Sequence, residues 1–255
     1  MAADPSGSGL LVSTSAGQIL RLDPNNGALV SVAGAPQGLS GDLMAMAPAP
    51  AGHLLVANRA GVVYNVNPQA GYAASIVWSN SGGALLDVRG LCADSLGRPV
   101  VVDRVGAAVS KVRRVNGGQL DLLAFSARGL RPAVDPLTGE IFVSEQGAPG
   151  DTGGEILRIE APAGSLRSGH YQRNAYTTYP TGDFDGALAF DDSGNLYIAE
   201  GDAGRVVATH RSSGADTIVG ANYGRPTALA LAAGTPGTAG PPRHEPLRPR
   251  RLCHL

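Results

Sequence analysis

Cysteine is nearly absent from this chain. Its 255 residues hold two, Cys92 and Cys253, and neither has a Cys-x-x-Cys or Cys/His partner at metal-binding spacing. A disulfide framework and a structural zinc site are therefore excluded as organising elements. Cys92, inside an apolar stretch, reads as a small buried hydrophobe. Charge of one sign is lacking too: 20 Lys and Arg face 21 Asp and Glu, a net charge of -1. No polyanionic partner is implied by that balance. No apolar run approaches the ~18–20 residues of a membrane-spanning helix. The opening MAADPSGSG has neither the basic n-region nor the apolar h-region of a secretory signal, and the compartment is left open. Gly-x-Ser-x-Gly and P-loop motifs are missing. The five histidines, His53, His170, His210, His244 and His254, form no His-x-Glu or His-x-His pair. They read as exposed side chains, with His53 in a turn.

What the chain has in plenty is glycine, 36 residues, and proline, 18, spread throughout a sequence that is 43% hydrophobic. That combination predicts many short strands and tight turns around a core and argues against disorder. The clearest unit is 187–209, ALAFDDSGNLYIAEGDAGRVVAT. Strands are predicted over 187–190, 195–199 and 205–209. Asp191-Asp192-Ser193-Gly194 forms the first turn, because Asp and Ser side chains bond nearby backbone and Gly accepts a positive φ.

The rest of the chain repeats this unit. Second strands are predicted at 10–14 (LLVST), 54–58 (LLVAN), 99–103 (PVVVD), 141–145 (IFVSE) and 196–200 (LYIAE). Their last residues, Thr14, Asn58, Asp103, Glu145 and Glu200, recur at intervals of 44, 45, 42 and 55. Third strands follow at 18–22, 62–66, 109–113, 155–159 and 205–209. Weaker fourth strands follow at 28–32, 74–78, 120–125, 175–179 and 216–219. Strand units repeating every 40–45 residues are the mark of a β-propeller, in which small sheets bury their faces by stacking in a ring. The fold class is all-β, a propeller of five visible four-stranded blades over 1–234. A Pro/Arg-rich tail at 235–255 is expected to be disordered.

Two features depart from the repeat. The first unit starts with the turn Asp4-Pro5-Ser6-Gly7 and lacks a first strand, so the chain reads as beginning in mid-repeat. Residues 225–232 (RPTALALA) read as a surplus first strand. Either that segment closes a five-bladed ring by pairing with the first unit, or the chain is a piece of a six-bladed propeller. The fourth unit carries an insertion, 147–154, and a long segment, 161–182, that gathers Tyr171, Tyr176 and Tyr179 with Phe184 behind them. Loops carry function more readily than scaffold, and aromatics favour recognition; the competing reading is an outer strand whose tyrosines cover the blade edge. Arg243, Arg248, Arg250 and Arg251 lie among five prolines in the tail, which favours a disordered end over a nucleic-acid patch.

The stretches DDSGNLYIA at 191–199 and Asp94-Ser95-Leu96-Gly97 resemble the core motif of NHL-repeat and SMP-30/gluconolactonase-like propellers, and streptogramin-lyase-like propellers are similar. The resemblance covers 1 to about 232 and rests on turn and strand residues. It implies that second-strand ends and first-strand starts share one face. That face would gather Thr14, Asn58, Asp103, Glu145 and Glu200, with Asp183, Asp185, Arg89, Arg131 and Arg225. Converging carboxylates suit a hard cation such as Ca2+ or another divalent ion, or paired acid and base work. The other reading is a structural ring in which each carboxylate caps turn amides or pairs with an Arg. The positions that hold metal in gluconolactonase-like propellers align here with Arg89, Leu130, Gly186 and Thr227. Asp185 lies one residue out of register, and that step turns a strand side chain to the opposite face.

Two functions follow as expectations. One is a non-catalytic propeller that binds a small molecule or protein on one face, through Asp103, Glu145, Asp185, Glu200, Arg89 and Arg131. The alternative is a metal-dependent, lactonase-like hydrolase or lyase with a divalent ion held in the central channel by Asp103, Glu145 and Glu200. No nucleic acid and no membrane span enters either reading.

Overall fold

A computed structural model describes residues 1–5, 9–23, 26–126, 128–145, 155–160, 167–171, 186–201 and 203–231. The chain forms a five-bladed β-propeller, each blade a four-stranded antiparallel sheet. Blade 1 holds β1 (Ala2–Ala3), β2 (Leu10–Ser13), β3 (Ile19–Leu22) and β4 (Leu29–Ala33). Blade 2 holds β5 (Leu43–Ala49), β6 (His53–Asn58), β7 (Val63–Asn67) and β8 (Ala73–Trp78). Blade 3 holds β9 (Val88–Ala93), β10 (Pro99–Arg104), β11 (Ser110–Asn116) and β12 (Gln119–Ser126). Blade 4 holds β13 (Gly129–Val134), β14 (Ile141–Glu145), β15 (Glu155–Glu160) and β16 (Arg167–Tyr171). Blade 5 holds β17 (Leu188–Phe190), β18 (Leu196–Glu200), β19 (Arg205–Thr209) and β20 (Asp216–Gly220). Among the described residues no helix is long and apolar enough to cross a membrane.

The first turn of each repeat forms for the reason its residues suggest. Asp94 Oδ1 accepts the amides of Leu96 and Arg98, Asp135 Oδ1 that of Leu137, and Asp191 Oδ1 those of Ser193 and Asn195. Gly97, Gly139 and Gly194 close these turns at φ of 77°, 73° and 75°, a region costly for residues with a Cβ. These turns also pack blade on blade. A Cβ at Gly97 would lie 3.0 Å from Pro50, and one at Gly194 would lie 3.1 Å from Leu137.

The second strands of blades 2 to 4 are buried on both faces, so alternate side chains feed opposite neighbours. Leu54 and Val56 pack toward blade 1 with Leu11 and Ile19, while Leu55 and Ala57 pack toward blade 3 with Val88 and Val101. Val100 and Val102 meet Ile141 and Val143 of blade 4. Phe142 faces blade 5 with Leu188 and Ile198, its ring 5.1 Å from that of Phe190. Four such cores join blades 1 to 5 in order. Among the described residues no fifth core joins blade 5 to blade 1.

Three expectations are corrected. Blade 1 has a first strand of its own, with Ala2 paired to Leu11 and Ala3 to Leu10. Residues 225–231 form no strand. Pro226 has no amide to give a ladder, and the segment before it is drawn onto blade 5, where the Tyr223 amide donates to the Gly204 carbonyl. The outer strand of blade 4 lies at Arg167–Tyr171 rather than at 175–179. Only the main chain of Tyr171 is described, at the end of β16. Tyr176, Tyr179, Phe184, the 147–154 insertion and the 235–255 tail lie outside the described residues.

Candidate functional site

Between the first strands of blades 2 to 5 lies a cavity of about 460 Å³. Leu43 and Met46 of β5, Leu91 of β9, Pro132 of β13 and Leu188 of β17 give its wall an apolar part, and polar groups make up about half of the exposed lining. Val12 and Ser13 of β2 reach it because β1 covers only two residues of their blade. Residues 224–229 complete the wall.

The charged groups on this wall are cationic. Arg131 stands on β13, where the pairing with β14 shifts register between Gly129 and Pro132. Its amide donates to Ser144 Oγ at 3.1 Å and its Nη1 to the Arg89 carbonyl at 2.8 Å. β9 and β13 approach this closely because Gly90 has no side chain: a Cβ there would overlap the Leu130 carbonyl oxygen and Pro132 Cδ. Arg131 is felt inside the cavity. Burial, with the Arg131 charge second, lowers the Met1 amino group to about 6. Arg225 joins from the 224–229 segment, its Cγ lying 3.3 Å from where a Gly201 Cβ would be. No carboxylate stands among the described wall residues.

The second-strand ends do other work. Asn58 Oδ1 accepts the Val62 amide at 2.9 Å, and its Nδ2 donates to the Ser40 carbonyl at 3.0 Å. Asp103 is fully buried, and its Oδ1 accepts the amides of Leu86 and Asp87 at 2.8 and 2.9 Å. Each thus clamps the segment that leads into the first strand of its own blade. Asp103 Oδ2 has no hydrogen-bond partner. Thr14 accepts the Gln18 amide at 3.1 Å. Glu200 is buried and bonded to Arg205. Glu145 is buried opposite Gly129. Arg89 donates to Asp87 at 2.6 Å, and Asp87 also receives Arg104 at 2.8 Å and Arg59 at 3.4 Å.

Among the described residues no three His, Cys, Asp or Glu side chains gather at one point. Arg89, Leu130, Gly186 and Thr227 supply no carboxylate at the positions that the resemblance assigns to metal. Asp183 and Asp185 lie outside the described residues. His53 opens β6 instead of sitting in a turn, with Nδ1 3.0 Å from Asn65 Oδ1. His210 Nε2 lies 3.3 Å from Thr217 Oγ1. The cavity wall itself was hidden from sequence reasoning, because nothing local marks Arg131 and Leu43 as neighbours across an axis.

Asp103 offers a direct test of its clamp. Asp103→Ala leaves the part-buried amides of Leu86 and Asp87 without their acceptor, and is expected to cost about 1 kcal/mol. Asp103→Asn keeps an acceptor oxygen, and is expected to retain most of that stability. Urea unfolding of the two variants measures the difference; equal losses would mean that the carboxylate charge, not the amide bonds, matters.

No protein-family model matches the chain, and no curated protein does. Solved structures do. The gluconolactonase XC5397 from Xanthomonas campestris is 19% identical with a TM-score of 0.65, over 88% of this chain and 75% of its own. A structural-genomics protein provisionally named a gluconolactonase is 16% identical with a TM-score of 0.66, over 92% and 80%. Virginiamycin B lyase from Staphylococcus aureus is 11% identical with a TM-score of 0.54, over 86% and 67%. The motif resemblance at 191–199 therefore extends to the fold. At these identities it extends no further, and a shared propeller does not carry a shared chemistry.

Proposed function

We propose that this propeller is a non-catalytic ligand-binding protein whose site is the axial cavity. The observation that supports it is the cavity itself, lined by apolar side chains and polar groups in about equal measure, in a volume typical of small-molecule sites, about 300–1,000 Å³. The described carboxylates of the second strands serve the scaffold, as the Asp103 amide bonds and the Glu200–Arg205 pair illustrate.

The second reading is a metal-dependent lactonase-like hydrolase, favoured by the likeness to gluconolactonase structures. It needs a divalent ion, and its donors would have to include Asp185 with Glu145 or Glu200. Thermal unfolding with Ca2+ or Mn2+ separates the two. A ligand that binds only the folded state at 100 times its Kd stabilises by about 2.7 kcal/mol. No metal-dependent rise, and no hydrolysis of aldonolactones above the buffer rate, is the expected result. A saturable rise that Glu145→Gln or Glu200→Gln abolishes, together with lactone hydrolysis, would replace the binding reading with the enzymatic one.

A further inference from the structure

Two stretches of main chain reach the cavity wall outside any ladder. The first is on the 224–229 segment. Thr227, Ala228 and Leu229 belong to no strand and, among the described residues, form no hydrogen bond. The second is the inner edge of β2. β1 pairs only with Leu10 and Leu11, so Val12 and Ser13 have β3 on one side and, among the described residues, no strand on the other. Both stretches line the cavity, and Thr227, Ala228 and Leu229 are at least partly accessible. Main-chain N–H and C=O groups in proteins are nearly always paired, with backbone, side chain or water. In an accessible wall the backbone of a ligand can take the place of that water. None of residues 227–231, which read TALAL, has a positive φ, so no left-handed residue turns the segment away from a strand laid beside it.

From this we infer that the axial cavity takes a short extended peptide, its backbone hydrogen-bonded to 227–229 and to the edge of β2 at Val12 and Ser13, its apolar side chains toward Leu43, Leu91 and Leu188. This is strand addition, in which main-chain bonds give affinity and the surfaces met by alternate side chains give preference. The wall offers both kinds of contact, since polar groups and apolar side chains share it about equally. The bonds invoked are made to peptide groups, so an uncharged peptide with blocked ends should bind. The inference rests on the cavity being the binding site.

The test is calorimetric titration of the intact protein with acetyl-Val-Ala-Val-Ala methylamide, with its two analogues N-methylated at alternate residues, and with cyclohexanol as a neutral non-peptide probe. The parent peptide is expected to bind saturably. At least one analogue should bind about 10-fold more weakly, the loss of one main-chain hydrogen bond. Ala228→Pro and Leu229→Pro each remove one N–H from a segment that is in no ladder, so both variants should fold as the parent protein does. Neighbouring residues of an extended segment face opposite ways. One of the two variants should therefore weaken the peptide about 10-fold and the other little, with cyclohexanol binding unchanged in both. Equal binding of the parent peptide and both analogues would overturn the strand pairing. Peptide binding that both proline variants retain would overturn its placement against 227–229. Cyclohexanol binding without any peptide would overturn the peptide and keep the cavity as a site for other small molecules. No binding by peptide or cyclohexanol would overturn the cavity reading itself, and the peptide with it.

Discussion

Gly90→Ala is expected to lower stability by about 3 kcal/mol, at the upper end of overpacking costs. The backbone at Gly90 is extended within β9, so the cost is one of space and not of φ. A methyl group there would overlap the Leu130 carbonyl and the Pro132 ring, and would stand 3.1 Å from Arg131 Cα. All three obstacles are main chain or a rigid ring, so neither β9 nor β13 can yield by a rotamer change. The two strands must separate, and Arg131 moves with β13. For a chain of this size each kcal/mol shifts the melting temperature by roughly 2–4 °C, so thermal unfolding should register a fall of roughly 6–12 °C. A melting temperature within 2 °C of the parent would show that the inner strands are not held at this contact.

Acidification is expected to loosen the junction of blades 4 and 5 at Asp135. Burial pushes this carboxyl up, but hydrogen bonds from Arg211, the Leu137 amide and Thr138, with the Arg211 charge, outweigh burial and hold it below its usual 3.8. The Asp135 side chain is 3% exposed and Arg211 is 40% exposed, so water screens part of the pair. A carboxyl whose folded value is depressed binds its proton more readily in the unfolded chain. Its contribution is therefore complete above the unfolded value of 3.8 and is lost as pH falls through the lower folded value. Arg211→Met leaves Asp135 buried with only neutral donors, and is expected to cost about 1–3 kcal/mol near neutral pH. Removing the partner also raises the Asp135 carboxyl, so the variant's stability should differ less from the parent's in strong acid. Urea unfolding from pH 7 to pH 3 checks both; a constant difference across that range would assign the loss to Arg211 packing and not to its charge.

Local chemistry made most of the scaffold legible. β14 and β18 fall where the apolar runs IFVSE and LYIAE place them, and β19 where RVVAT does. The outer strands were harder to read because they are exposed: Val30 is 59% accessible, Ile76 61% and Ile218 57%. Burial imposes little alternation on such strands. The outer strand of blade 4 moved from 175–179 to Arg167–Tyr171 for a related reason, since turn residues do not measure the length of an insertion.

Sequence alone determined the repeating blade. Its turns are settled by Asp, Ser and Gly within five residues of one another, and its second strands by short continuous apolar runs between those turns. Tertiary structure alone decided what the repeated polar positions do. Asp103 could have met an ion or an amide, and the folding of 86–87 over it supplied two amides. Asp135 meets Arg211 across 76 residues, Asp4 meets Tyr72 across 68, and Arg131 meets the Arg89 carbonyl across 42. The ring brings such residues together from separate repeats, and no local pattern encodes them. The wall of the described cavity follows from the same stacking of blades. It is made of residues whose common property is distance from the axis, a quantity that exists only once the blades are stacked.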